Sequence, residues 1–463
     1  MKKILLFTLG SFATLAIALT LLAPSLLGFS ISQLGAAVDV ATGMGAKLAC
    51  SGRYVSGFSP QRNLEDLASY SPANRLLELS YNDERQQVSA TLLGLGETSA
   101  RYRPGLGCTL DIGDTSDLDR IRIDKIEPYS APWPSGDQAT DINPRLQRAL
   151  DDILARDNAA NRQTRALLLV QDGVLVAESY ADGISTDTPL LGWSMGKSLT
   201  AMMLGRLEQL GRAGNLSTPL FQQWQHDERA AITLDSLLQM SSGLDFDETY
   251  APGSDATRML FNTHSASEVA LLSPPRHTPG EHFSYSSGTT NLLARWIAER
   301  LGNTPQSSVD FFREEMLRPL GMRNTVFELD PSGIFVGSSY IYASARDWAR
   351  LGLLMLERGN WQGKQLINED WVERAQSPND SSNEPAYGYQ FWLNRGGDAL
   401  RFPELPADAY FMLGNREQVV MISPSTKTVM VRLGWSAGEY PTGANFAEIL
   451  ASATASPEVS AAR

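Results

Sequence analysis

Short, mostly apolar segments occur in two pairs, one near each end of the main body of the chain. Residues 165–170 and 174–180 flank the turn Asp172-Gly173, and residues 418–422 and 428–433 flank a short polar turn. Each pair is typical of a β-hairpin. Two segments between these hairpins, 198–210 and 291–300, have apolar residues at helical spacing. A third, 146–156, lies just before the first hairpin and has the same spacing. This order predicts an α/β (α+β) domain over 141–452 in which helices flank an antiparallel sheet.

A smaller unit is predicted ahead of this domain. Residues 53–58 and 87–93 have the composition of strands, so residues 45–115 are expected to form a small β-rich N-terminal unit. Residues 128–137 are then enriched in proline, glycine and serine, which predicts an irregular linker over 116–140. The small and polar residues 453–463 are expected to form a flexible tail.

The first 38 residues indicate export. Lys2 and Lys3 precede an almost unbroken apolar run over residues 4–23, and no further charge occurs before Asp39. This is the pattern of a signal peptide or a transmembrane anchor. A retained anchor would place the catalytic domain in the periplasm on the inner membrane. Cleavage near residues 35–37 would instead give a secreted protein.

Composition restricts the classes of binding partner and bears on the redox state of the cellular compartment. The 463 residues include 39 basic and 52 acidic side chains, a formal charge of −13, with no basic stripe of the kind that nucleic-acid binding needs. The four histidines are scattered and no Cys/His cluster has metal-ligand spacing, so no metal site is expected. Cys50 and Cys108 are the only cysteines, and in an oxidising compartment they are expected to form a disulfide, with two buried thiols as the alternative.

The candidate chemistry begins at Ser194 and Lys197, which share one face of a helix if the segment is helical. A serine hydroxyl becomes a good nucleophile when a neighbouring base accepts its proton, and a lysine can do this when its charged form is disfavoured. The start of a helix also directs free N–H groups towards a developing anion. Downstream, Tyr285 lies in a glycine- and serine-rich loop just before a predicted helix, a position from which its hydroxyl could enter a cleft.

These residues resemble the motifs of class C β-lactamases, serine D-peptidases and related esterases. Ser194-x-x-Lys197 and Tyr285-x-Ser287 are similar to the first two family motifs. The resemblance is closest to the 6-aminohexanoate-dimer hydrolase branch. Further family-like stretches occur in order at 237–244, 342–347, 351–356 and 387–392.

The resemblance implies a β-lactamase/transpeptidase-like fold with an all-helical subdomain. It also implies a cofactor-free acyl-serine mechanism with Ser194 as nucleophile, Lys197 as base and Tyr285 as proton shuttle. The substrate would be a small ester, amide or peptide. The backbones of Ser194 and Gln418 would form the oxyanion hole. The resemblance further places four side chains at the substrate: Trp193, Ser287, Asn415 and Trp392.

The third family motif differs in this chain. Related enzymes carry Lys-Thr-Gly or His/Trp-x-Gly here, whereas this sequence has Asn415-Arg416-Glu417. Two other interpretations therefore stay open. The protein could be a catalytically idle sensor that keeps the fold, or an envelope interaction protein that works through its N-terminal unit.

Overall fold

The structure is a computed structural model that describes residues 30–124, 126, 129–214 and 219–454. Its strands are β1 Leu77–Asn82, β2 Gln87–Leu92, β3 Leu95–Arg103, β4 Gly107–Leu110, β5 Thr164–Gln171, β6 Val174–Tyr180, β7 Leu190–Leu191, β8 Thr325–Phe327, β9 Ile341–Ala343, β10 Asn360–Trp361, β11 Lys364–Gln365, β12 Trp392–Leu393, β13 Tyr410–Gly414, β14 Gln418–Ser423 and β15 Thr428–Gly434.

The α-helices are α1 Leu34–Tyr54, α2 Pro60–Ala68, α3 Pro144–Ala159, α4 Met195–Gln209, α5 Leu234–Leu238, α6 Asp255–Phe261, α7 Ala266–Leu271, α8 Ser287–Arg300, α9 Pro305–Phe312, α10 Arg318–Leu320, α11 Ala345–Leu356, α12 Glu369–Ala375 and α13 Thr442–Thr454. Short 3₁₀ turns occur at Ile31–Gln33, Pro72–Leu76, Ser116–Arg120, Gln222–Trp224 and Glu228–Ala231, and a π-helical turn at Arg313–Leu317 joins α9 to α10.

The central sheet joins the two predicted hairpins. Its six antiparallel strands have the order β12-β13-β14-β15-β5-β6, so β15 near the C-terminus pairs with β5 near the start of the domain. The β5–β6 turn has left-handed backbone at both Asp172 and Gly173, the geometry that matches the twist of a two-residue hairpin. Both predicted hairpins are confirmed.

Helices cover both faces of this sheet. One face packs against α3 and α13 through a compact apolar cluster that includes Leu150, Phe411 and Phe446. The other face shares a much larger core with α4 and α11. Between β7 and β8 the described residues form helices and no strand, as expected for a helical subdomain. The chain therefore has a mixed α/β fold built from antiparallel sheets and helices.

The N-terminal unit differs from its prediction. Residues 53–58 do not form a strand, because α1 continues to Tyr54 and a turn follows. The sheet β1-β2-β3-β4 begins only at Leu77. Helix α1 is rich in glycine and alanine, and these small residues let it pack closely on its neighbours: a Cβ on Gly45 would lie 3.1 Å from the Cβ of Ala90. Tertiary packing therefore offsets the four glycines of α1, which disfavour helix.

The predicted disulfide is confirmed. Cys50 on α1 is bonded to Cys108 on β4, and both side chains are fully buried. Their neighbours belong to the same apolar core as α4, so the N-terminal unit shares its interior with the large domain.

The predicted apolar segment at residues 4–23 lies outside the described residues. Within the part of the chain that the structure describes, no helix has both the length and the apolar character needed to cross a membrane.

Candidate active site

A strained turn carries Ser194 to the start of a helix. The Gly192 N–H donates to the carbonyl of Ile341 at 2.9 Å, which fixes the turn to β9. A Cβ on Gly192 would lie 2.2 Å from the Trp348 ring, so only glycine fits there. Trp193 then takes a left-handed φ of 48°, and Ser194 is the N-cap of α4. Such backbone is disfavoured for a non-glycine residue and persists where surrounding contacts hold it.

The start of α4 leaves one donor free. The N–H groups of Met195, Gly196 and Lys197 donate to the carbonyls of the three preceding turn residues. Among the hydrogen bonds of the described residues, none occupies the N–H of Ser194 itself. That N–H and the positive end of α4 are both available to an anion at Ser194.

Lys197 is buried directly beside Ser194. Its side chain is 1% exposed, and its Nζ lies 2.9 Å from Ser194 Oγ. The same Nζ lies 3.0 Å from Ser287 Oγ and 3.4 Å from the Ser338 carbonyl. Helical spacing brings the lysine and the serine together, whereas Ser287 and Ser338 come from distant parts of the chain.

Glu248 completes this group of polar residues and is missing from the sequence-based prediction. Ser287 donates to it twice, from Oγ at 2.6 Å and from its backbone N–H at 2.7 Å. Burial raises the pKa of Glu248, while the charge of Lys197 and the bonds from Ser287 act in the opposite direction. A single glutamate 39 residues before its partner in an irregular segment gives no sequence pattern that could have identified it.

Aromatic rings surround the other side of the lysine. Lys197 Nζ lies 4.7 Å from the centroid of the Tyr285 ring. Tyr285 stacks on Trp392 with centroids 5.3 Å apart, and Tyr387 packs edge-on against Trp392. The structure thus brings the predicted residues Tyr285, Ser287 and Trp392 to the Ser194–Lys197 pair.

Trp193, expected to contact substrate, is almost fully buried. Its ring is only 5% exposed and lies between Tyr70 of the N-terminal unit, at 6.2 Å, and Tyr340, at 6.1 Å. A ring enclosed in this way supports the turn before Ser194 and has little surface to offer a substrate.

The altered third motif forms the turn between β13 and β14. Arg416 and Glu417 have φ values of 64° and 63°, in the region where glycine is normally favoured. Arg432 donates to the carbonyls of both residues, at 3.1 and 2.7 Å, and this buried arginine holds the turn. Asn415 is exposed in the turn.

Gln418 lies inside the sheet. Its side-chain amide donates to the carbonyl of Gly434 and accepts from the N–H of Gly434 at 3.0 Å. On the paired strand β13, a Cβ on Gly414 would lie 2.2 Å from the Gly192 carbonyl oxygen, so the end of β13 packs against the nucleophile turn. The oxyanion role of the Gln418 backbone N–H stays a prediction.

The comparisons with known proteins place this geometry in a family. A family model described as β-lactamase matches residues 148–451, about two thirds of the chain. The chain belongs to the β-lactamase family. Members of this family are serine hydrolases, and the match lies within the predicted catalytic segment 141–452. Among the described residues of this β-lactamase family protein, no group of three or more His, Cys, Asp or Glu side chains could hold a metal ion.

Individual relatives agree with this assignment. The chain is 27% identical over 376 residues to a 6-aminohexanoate-dimer hydrolase from Paenarthrobacter ureafaciens, covering 73% of this chain and 91% of that protein. A class C β-lactamase structure has 13% identity and a TM-score of 0.52, covering 67% of this chain and 97% of that one. A family VIII carboxylesterase has 15% identity and a TM-score of 0.52, with coverage of 67% and 98%. At these identities the two structures show the fold alone.

Proposed function

We propose that the protein is a serine hydrolase that cleaves an ester or amide through an acyl-serine intermediate. The observation that carries this proposal is the 2.9 Å contact between Ser194 Oγ and the Nζ of a lysine that is almost fully buried. A buried amine at hydrogen-bond distance from a hydroxyl is the arrangement that general-base activation requires.

The proposed reaction has two steps. Ser194 Oγ bonds to the substrate carbonyl carbon while its proton passes to Lys197, and the oxyanion accepts from the backbone N–H groups of Ser194 and Gln418. Tyr285 then gives its hydroxyl proton to the leaving group as the bond from carbon to that group breaks, and it regains a proton from the protonated Lys197. In the second step a water molecule gives a proton to Lys197 as it attacks the acyl-serine, and that proton passes to Ser194 Oγ as the acid leaves. One oxyanion donor typically contributes about 3–4 kcal/mol.

The names of two relatives support a proposal for the substrate class. One is named for hydrolysis of the 6-aminohexanoate dimer, a linear amide, and another is a carboxylesterase. We propose a small linear amide or ester as substrate, bound against the aromatic surface of Tyr285 and Trp392.

The test uses a fluorophosphonate probe, which reacts only with an activated serine. We expect the parent protein to be labelled and Ser194→Ala to remain unlabelled. Exposed Ser425, on the far β14–β15 turn, provides the matched control, and Ser425→Ala should be labelled like the parent. Labelling of Ser194→Ala at the parent rate would contradict the assignment.

A second candidate function rests on the third motif. Glu417 stands where the related motifs have glycine, and both Arg416 and Glu417 have left-handed backbone. This difference favours a protein that is acylated but does not turn over. Release of p-nitrophenol from a short ester separates the two functions. Many product molecules per protein indicate an enzyme, and one indicates an acyl trap.

A further inference from the structure

A continuous chain of hydrogen bonds runs from Ser194 to a carboxylate. Lys197 Nζ lies 2.9 Å from Ser194 Oγ and 3.0 Å from Ser287 Oγ, and Ser287 Oγ lies 2.6 Å from Glu248 Oε1. The second oxygen of Glu248 accepts the backbone N–H of Ser287 at 2.7 Å. Glu248 therefore accepts hydrogen bonds from both the hydroxyl and the backbone N–H of Ser287, the residue that contacts the lysine.

The direction of each hydrogen bond follows from the chemistry of its ends. An ionised carboxylate can only accept, so Ser287 must give its one hydroxyl proton to Glu248. Ser287 Oγ then faces Lys197 as an acceptor and takes an N–H from it. The Ser338 carbonyl, at 3.4 Å, also can only accept. A neutral Lys197 has two N–H bonds and one lone pair, so these two acceptors leave the lone pair for the proton of Ser194.

We infer that Glu248 is a positioning residue that acts through Ser287 to orient Lys197 and to stabilise the ammonium formed when Lys197 takes the proton of Ser194. The inference rests on the proposed function. Glu248 is half-buried, and a carboxylate that orients a base and stabilises its cation has the same logic as the aspartate of a Ser-His-Asp triad. A protonated Glu248 would lose this effect, because Ser287 could then turn its own proton towards the lysine lone pair.

The groups around Glu248 define what its charge acts on. Lys197 on α4 is the cation that interacts with it. Tyr250, on the same segment as Glu248, donates to it at 3.4 Å, and Tyr387 from a third segment is close enough to interact with its charge. Since both tyrosines are neutral near pH 7, the charge balance at this point is set by Lys197 and Glu248.

The experiment measures the rate of fluorophosphonate labelling of Ser194 from pH 5 to pH 10. For Glu248→Gln we expect two changes. The plateau rate should fall at least about tenfold, since base assistance contributes about 10²–10⁴-fold. The midpoint of the acid limb should also move to lower pH, because removing a negative charge beside an amine disfavours its protonated form. A merely structural role would lower the rate at every pH without moving the midpoint.

Two further variants sharpen the test. Ser287→Ala breaks the link but leaves the carboxylate, so the plateau should fall while the midpoint moves much less than in Glu248→Gln. Asp247→Asn makes the same chemical change at the neighbouring exposed carboxylate and should match the parent.

The outcomes separate this inference from the proposed function. An unlabelled parent overturns both. A labelled parent with Glu248→Gln within threefold of its plateau, at an unmoved midpoint, overturns the inference alone, and so does an Asp247→Asn variant that behaves like Glu248→Gln. If Glu248→Gln does not fold, Ser287→Ala within threefold of the parent plateau overturns the inference.

Discussion

At the residue scale, the site depends on a lysine that has almost no contact with solvent. Its Nζ is surrounded by two hydroxyls, one carbonyl and the face of Tyr285. The spacing of Ser194 and Lys197 predicted their contact, because residues three apart on a helix are neighbours. The motif by itself could not predict that the lysine is buried, because the burial depends on Ser287, Ser338 and Tyr285.

The arginine variant of Lys197 tests the proposed base. An arginine keeps the positive charge but cannot release its proton in a protein, so it cannot accept one from Ser194. We expect Lys197→Arg to lower kcat/KM for a short p-nitrophenyl ester by about 10²–10⁴-fold. If Lys197 were an ordinary helix lysine, the exchange would change stability by under about 0.5 kcal/mol and leave activity intact. Activity within threefold of the parent, still dependent on Ser194, would refute the Ser–Lys mechanism.

At the element scale, a buried ion pair fixes α1 to the large domain. Lys47 on α1 forms an ion pair with Glu328, which follows β8, and neither side chain is exposed beyond 2%. Glu328 also accepts the Ser51 hydroxyl at 2.8 Å and the Cys108 N–H at 2.6 Å. The ion pair and the disulfide thus meet at the same carboxylate and join three elements that are distant in sequence.

Replacing Lys47 by methionine should destabilise the fold strongly. A buried carboxylate that loses its cation typically costs about 3–5 kcal/mol. Burial already raises the pKa of Glu328, and losing Lys47 raises it further. A carboxyl whose pKa is higher in the folded state favours folding at low pH, and this contribution is lost as the pH rises through the folded-state pKa. The loss in the free energy of unfolding of Lys47→Met should therefore be smaller at pH 5 than at pH 8.

Urea unfolding of the parent and the variant at both pH values measures this deficit. The control is Lys427→Met, because Lys427 forms an exposed pair with Asp172 at 3.7 Å. Such surface pairs contribute about 0–1 kcal/mol, so the control should change little at either pH. An equal deficit for Lys47→Met at both pH values would contradict the role given to Glu328.

At the scale of the whole molecule, the N-terminal unit reaches the active site. Tyr70 lies edge-on to Trp193, the residue before Ser194, and to Trp435, with centroids 6.2 and 5.6 Å away. The guanidinium of Arg416 lies 3.6 Å from the centroid of the same ring. One side chain of the small unit therefore contacts both the nucleophile turn and the altered third motif.

Removing this ring should impair the site from outside the catalytic domain. We expect Tyr70→Ala to lower the labelling rate of Ser194. It should also destabilise the fold, by less than the ~3–5 kcal/mol that deletion of a fully buried ring costs, because Tyr70 is half-buried. Tyr70→Phe keeps the ring and should label like the parent. A Tyr70→Ala protein that labels at the parent rate below its unfolding temperature would show that the unit only adds stability.

Export of the whole molecule stays a prediction. It rests on Lys2, Lys3 and the apolar run at residues 4–23, and the buried disulfide is in keeping with an oxidising compartment. Cell fractionation with N-terminal sequencing decides between a tethered protein that keeps the run and a soluble one that begins near residue 38. Recovery of the intact chain in the cytoplasm would contradict export.

The sequence by itself determined the features that depend on neighbouring residues: the two hairpins, the helix that starts after Ser194 and the order of the family motifs. These follow from local periodicity and spacing. Only the tertiary structure decided that Glu248 accepts a hydrogen bond from Ser287 and that Tyr70 contacts Trp193. It alone also decided that the Gln418 side chain is hydrogen-bonded to Gly434. It also decided that 53–58 is not a strand, because α1 continues to Tyr54 and a turn follows. Such contacts join residues 16 to more than 120 positions apart, and no local pattern encodes them.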